Sequence, residues 1–197
     1  AEPLENGQEV QKDSDLTYYL TVNYDGKDYD AVESSDTQIS KISSDVILVE
    51  DRIPNGLTFK GFVGTNDGSI GAVKRSDGSS CAGYVVDGVN GLKYDTNTGV
   101  VSYKVKNLMA GCSLTVGIIT HTPSTVDDPN TAYVEVRRDF YNSATAGERF
   151  LTSKSNTVHV FMGEENATLY NVKYEYTGDI PKGAPDVSSL TSYTANS

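Results

Sequence analysis

The stretch Val46-Ile47-Leu48-Val49-Glu50-Asp51-Arg52-Ile53-Pro54-Asn55-Gly56 sets two carboxylates beside each other ahead of a turn. Paired acids do general acid–base work or hold a metal when other reactive groups converge on them. No His, Cys or Lys stands within this stretch. It therefore reads as a strand core at Val46 to Val49, with Glu50 and Asp51 as its wet end. Pro54-Asn55-Gly56 then reverses the chain into Leu57-Thr58-Phe59.

Other residues with chemical capacity are few. Asp127 and Asp128, with the acids of 25–36, could gather around calcium, a hard cation that takes oxygen ligands. A weak calcium site is the one cofactor that this leaves open. Asp95-Thr96-Asn97-Thr98-Gly99 starts like a calcium loop, but position 12 is Lys106 where such a loop needs a bidentate Glu. A tight hairpin turn accounts for it better. His121 and His159, the only histidines, have no ligand spacing to a cysteine, so zinc is not expected. A nucleophile–His–acid triad needs a histidine held between its partners. His159 alternates with Val158 and Val160 and is expected to face solvent, and His121 follows a strand end. No Gly-rich nucleophile elbow accompanies either. Thr37-Gln38 as an ester pair, and Cys with Gln as a thioester, lack supporting context. An enzyme is not expected.

Cys81 and Cys112 admit one intramolecular bridge, closing a loop of about 30 residues that would stabilise by roughly 3 kcal/mol. Two buried thiols are the competing reading.

Strands must position all of these groups. Leu16, Tyr18, Leu20, Val22 and Tyr24 share one face, with Thr17, Tyr19, Thr21 and Asn23 on the other, the period of a half-buried strand. Val101, Tyr103 and Val105 repeat the pattern, as do Leu114, Val116 and Ile118, and Val158, Val160 and Met162. Turn residues separate the runs at 54–56, 66–68, 76–78 and 97–99. No amphipathic helix is found. An antiparallel sandwich or barrel follows.

The chain has 197 residues, enough for one large domain or one domain plus a small second one. Hydrophobic residues are only 37%, but 13 tyrosines among many Val and Thr favour strands over disorder. Those tyrosines could form a sugar-binding platform, although most occupy strand positions suited to core or cross-strand pairing. The net charge of −11 repels phosphate backbones and anionic lipid, so neither nucleic acid nor direct membrane insertion is expected. No run approaches the roughly 20 apolar residues of a membrane span. No leader is visible at the start, which says nothing of the compartment.

Two acidic or Gly-rich stretches, 25–45 and 63–91, look like long loop insertions, where a binding role would be placed. A boundary is expected near 163–168, giving a first domain of 1–163. Residues 164–197 read as a linker and the first strand of a following, truncated β module, with Val172, Tyr174 and Tyr176 alternating. A strand packed onto the sandwich is the other reading of this segment.

The order of motifs resembles a known group. "DSDLTYYLTVNY", "VILVEDRIPNGLTF", "GLKYDTNTGVVSYKVKNLMAGCSLTVGIIT", "FYNSATA" and "SNTVHV" are similar to the immunoglobulin-like repeat of Gram-positive bacterial surface proteins named "domain of unknown function eleven". The resemblance covers roughly 10–163. Its landmarks are the turn Ile53 to Leu57, the hairpin Tyr94 to Gly99 and the turn Leu108 to Gly111. The insertions and the cysteine pair depart from it and suggest a specialised branch, of the kind found in large clostridial surface proteins. The tail is similar to the opening of mucin-binding-protein or β-grasp-like repeats.

The resemblance implies an all-β, antiparallel immunoglobulin-like β-sandwich with long loop insertions. It implies an extracellular place on the bacterial cell surface or cell wall, and a non-catalytic structural or adhesive role. Neighbouring repeats of the same chain would be its partners. The alternative is a module that binds a host glycan or matrix protein through 25–45 and 63–91. In such sandwiches a Lys amine can attack an Asn side chain beside a buried acid, forming an isopeptide bond as the Asn amide nitrogen leaves as ammonia. Asn142 and Asn156, at the start of late strands, are the candidates here. The first strand lacks the lysine, and Asn in these motifs also caps turns.

Overall fold

The structure, a computed structural model, describes residues 6–29, 38–126, 137–148, 151–163 and 186–194. In chain order the strands are β1 (Gln8–Glu9), β2 (Asp15–Asn23), β3 (Lys27–Tyr29), β4 (Gln38–Ser40), β5 (Ile47–Arg52), β6 (Thr58–Phe62), β7 (Ala72–Arg75) and β8 (Tyr84–Val85). Then come β9 (Lys93–Asp95), β10 (Val100–Lys106), β11 (Cys112–His121), β12 (Arg137–Asn142), β13 (Ala144–Glu148), β14 (Leu151–Lys154), β15 (Val158–Gly163) and β16 (Asp186–Thr194). A 3-10 turn at Gly88–Gly91 is the one helical element among the described residues. The chain is all-β, as the alternation predicts.

Apart from the parallel β1–β15 pair and the separate β3–β4 hairpin, the strands form two antiparallel layers around one core. The back layer runs β16-β2-β11, with β6 and β7 following each other along the far edge of β11. The front layer is centred on β5, between β10 and β13. β12–β13 and β14–β15 are two long strands, each interrupted once. Asn142 pairs with Val158, whereas Thr145 pairs with Lys154, so the register slips by one residue there. Such a bulge bends and twists a strand pair. Ser155 fills the break: its hydroxyl accepts the Ala144 N–H, and its own N–H donates to the Ala144 carbonyl, both at 2.9 Å.

The apolar faces read from the sequence are the buried ones. Leu16, Tyr18, Leu20 and Val22 are fully covered, and so are Val101, Val105, Leu114, Ile118, Val158 and Val160. They meet in a single cluster from both layers. Turn glycines sit where positive φ is required. At Gly56 (φ 102°) a Cβ would also collide with the Arg138 guanidinium, so the Pro-Asn-Gly turn serves packing as well as reversal.

β1 is short, but its partner matters. It pairs in parallel with β15, Gln8 against Val160 and Glu9 against Phe161. Further bonds flank the pair: Gly7 N–H to the His159 carbonyl and Val10 N–H to the Phe161 carbonyl, each 2.7 Å. The Asn6 side chain adds a third by accepting the His159 N–H. At the other end of the chain, β16 lies antiparallel along β2, with Thr194 opposite Leu16. The alternating run at 172–176 lies outside the described residues.

Candidate functional site

Asp51 corrects the reading of the opening motif. It is 1% exposed, not the wet end of a strand. Along β5, Ile47, Val49 and Asp51 point inward while Leu48, Glu50 and Arg52 point outward. Period-2 alternation therefore carries the carboxyl into the core in phase with two apolar residues. The solvent-facing half of that run includes Val46 and Leu48, which are 39% and 38% exposed.

Around Asp51 the walls are Val101 on β10 and Ala144 on β13, its direct cross-strand neighbours. Asn142, at the end of β12, reaches in across the bulge, and its Nδ2 donates to Asp51 Oδ2 at 3.0 Å. Desolvation pushes the Asp51 carboxyl up to about 7, only partly opposed by the Asn142 bond. The buried Tyr103 hydroxyl is pushed up as well, by burial first and by Asp51 second. Asp51 Oδ1, Asn142 Oδ1 and Tyr103 Oη have no hydrogen-bond partner among the described residues. Unsatisfied polar atoms of this kind are uncommon in cores. This is a proton-holding acid set against a carboxamide.

The structure thus places one sequence candidate, Asn142, beside a buried acid. It ends β12 and does not start a strand. Asn156 lies in the link between β14 and β15, two residues before β15 begins at Val158. The lysine ion pairs among the described residues go to Asp45 and Asp15. Asp127 and Asp128 lie outside the described residues. Among the described residues, no group of three His, Cys, Asp or Glu side chains could hold a metal ion.

A second polar cluster was not foreseen. His121 ends β11, and its Nδ1 lies 2.7 Å from Asp15 Oδ1 while Nε2 lies 2.8 Å from Asp13 Oδ1. Both ring nitrogens face carboxylates, an arrangement that favours the doubly protonated ring, in which both donate. The Asp13 bond, then the Asp15 bond, raises the His121 pKa above its usual 6.5. Hydrogen bonds from His121 and then Lys60 hold Asp15 below the ordinary carboxylate value. Ser14 and Thr122 exchange backbone and side-chain bonds beside it, and Asp13 N–H donates to the Pro123 carbonyl. The cluster fastens the segment after β1 to the end of β11. More than 100 residues separate its partners in sequence, so no local spacing signals it.

His159 lies on the outer face of β15. It stacks on Tyr141 at 4.3 Å, and its Nε2 is 2.6 Å from Asp139 Oδ1. No nucleophile completes a triad with either histidine among the described bonds. Cys81 and Cys112 form a disulfide, which staples the 63–91 insertion to the start of β11.

No family model matches the chain, and no curated protein does. Two solved structures are similar to it in shape. One is the collagen-binding domain from a Staphylococcus aureus adhesin, with a TM-score of 0.40 and 10% identity over 77% of this chain and 89% of that one. The other is ACE19, the collagen binding subdomain of the Enterococcus faecalis surface protein ACE. It has a TM-score of 0.36 and 8% identity over 82% of this chain and 96% of that one. Likeness this slight decides neither ligand nor partner.

Proposed function

We propose that the chain is a non-catalytic, load-bearing module of a bacterial cell-surface protein, a stalk or adhesin segment of the kind that the motif order resembles. One observation carries this reading: the parallel pairing of β1 with β15. Two parallel strands leave their pair at opposite ends. A force applied between residues 6 and 163 therefore pulls along the ladder and strains its hydrogen bonds together, whereas a load entering beyond β16 meets the β16–β2 ladder first. An antiparallel hairpin pulled from its open end loses its bonds one at a time.

Other features fit the same role. The disulfide shortens the length that can extend under load and suits an oxidising, extracellular setting. Asp51 and Asn142 lack a positioned amine among their bonded partners, so the support offered by an isopeptide bond does not enter this reading. Antibody raised against the domain should stain intact cells of the source organism. Signal only after permeabilisation would remove the surface assignment.

A further inference from the structure

We propose that the outer face of β8, β10 and β5, with the turn at 86–91, is a docking surface for a polypeptide that presents carboxylates beside apolar side chains. The inference does not depend on the load-bearing reading.

Six large hydrophobic side chains are exposed among the described residues, and four of them gather here: Val46, Leu48, Tyr84 and Val89. Leu48 lies opposite Lys104, and Tyr84 lies opposite Lys106. Val46 extends the outward phase of β5, and Val89 lies exposed in the 3-10 turn that follows β8. Clustered exposed apolar residues rimmed by polar ones mark interaction surfaces, whereas scattered ones do not.

The charge of the patch is inverted relative to the chain. Acids outnumber bases 27 to 16 overall. On this face Lys93, Lys104, Lys106 and Arg52 stand against Glu50, Asp87 and Asp95, which leaves cations in the majority. None of the three lysines forms an ion pair among the described residues. Complementary charge steers encounter and fixes register, so an acidic partner is selected.

A concavity of about 250 Å³ opens at the centre, lined by Leu48, Val86, Lys93 and Lys104. It is held in shape by backbone. Val86 N–H donates to the Lys104 carbonyl at 2.9 Å, and Gly91 approaches the Val86 carbonyl too closely for any Cβ. A preformed pocket beside unpaired cations suits one buried anchor side chain within an acidic rim. Asp87, Ser102 and Tyr103 complete the lining, but Tyr103 is only 2% exposed, so the one exposed aromatic side chain on this face among the described residues is Tyr84. Sugar platforms rely on aromatic faces, so the chemistry favours a polypeptide over a glycan.

The test uses the full chain, isotope-labelled, and three probes: a synthetic peptide alternating Leu and Glu, its Leu and Gln counterpart, and a uronate oligosaccharide. The Glu peptide is expected to move the amide signals of Leu48, Val86 and Lys104 saturably. The Gln peptide, and the Glu peptide on Lys104→Glu, should bind about tenfold more weakly. Leu48→Asp serves as a second variant, and unchanged core amide signals certify both folds. Saturable shifts from the uronate alone, shifts elsewhere, or equal binding by both variants would overturn the proposal.

Discussion

Asn142 donates its side-chain amide to Asp51 at 3.0 Å inside the sandwich, where Asp51 is only 1% exposed. A carboxyl in that position has one hydrogen-bond donor and no counter-charge. It keeps its proton to about pH 7.

That pair makes stability fall as pH rises. Below the ordinary value of 3.8 both folded and unfolded chains hold the proton. Between there and about 7 only the unfolded chain releases it, so unfolding is increasingly favoured. Above that window the loss is complete, at most about 4 kcal/mol. Asp51→Asn should therefore stabilise the chain near neutral pH and leave it little changed near pH 4. Denaturant midpoints at the two pH values check this, and a uniform effect would show that Asp51 is ionised in the fold.

His121 acts in a different window. Its folded-state pKa is raised above 6.5, so its contribution is full below that value and is lost as pH rises through the folded value. NMR titration of the His121 ring should give a midpoint that drops in Asp13→Asn. His121→Gln should flatten the alkaline limb of the stability profile while the Asp51 window persists.

Reducing the Cys81–Cys112 bridge should cost roughly 3–4 kcal/mol, the chain-entropy value for a separation of 31 residues. The denaturant midpoint with and without reductant measures it. Thiol labelling confirms that reduction occurred. Unchanged stability in fully labelled protein would mean that the 63–91 insertion holds itself on β11.

The core was readable because strand alternation is local. Leu16 to Tyr24 and Val101 to Val105 show their buried faces in sequence, and turn glycines mark the reversals. Asp51 was equally readable by phase, being two residues beyond Val49. The rest is long-range. Gln8 and Glu9 are too short to show a pattern, and only Val160 and Phe161 define them as a parallel strand. The His121 cluster needs the pairing of β2 with β11 before Asp15 and the imidazole become neighbours. Likewise, the cationic outer face exists only once β8 and β10 are in register.

Load-bearing through β1 and β15 is tested most directly by single-molecule pulling in two geometries. In the first, click handles at residues 6 and 163 load the parallel pair in shear. In the second, handles at Arg137 and Gly163, which pair at one end of the antiparallel β12–β15 ladder, open it like a zipper. The load-bearing account predicts a clearly higher rupture force in the first geometry, reduced by Val10→Pro, which removes the bond to Phe161. Equal forces in the two geometries would contradict it.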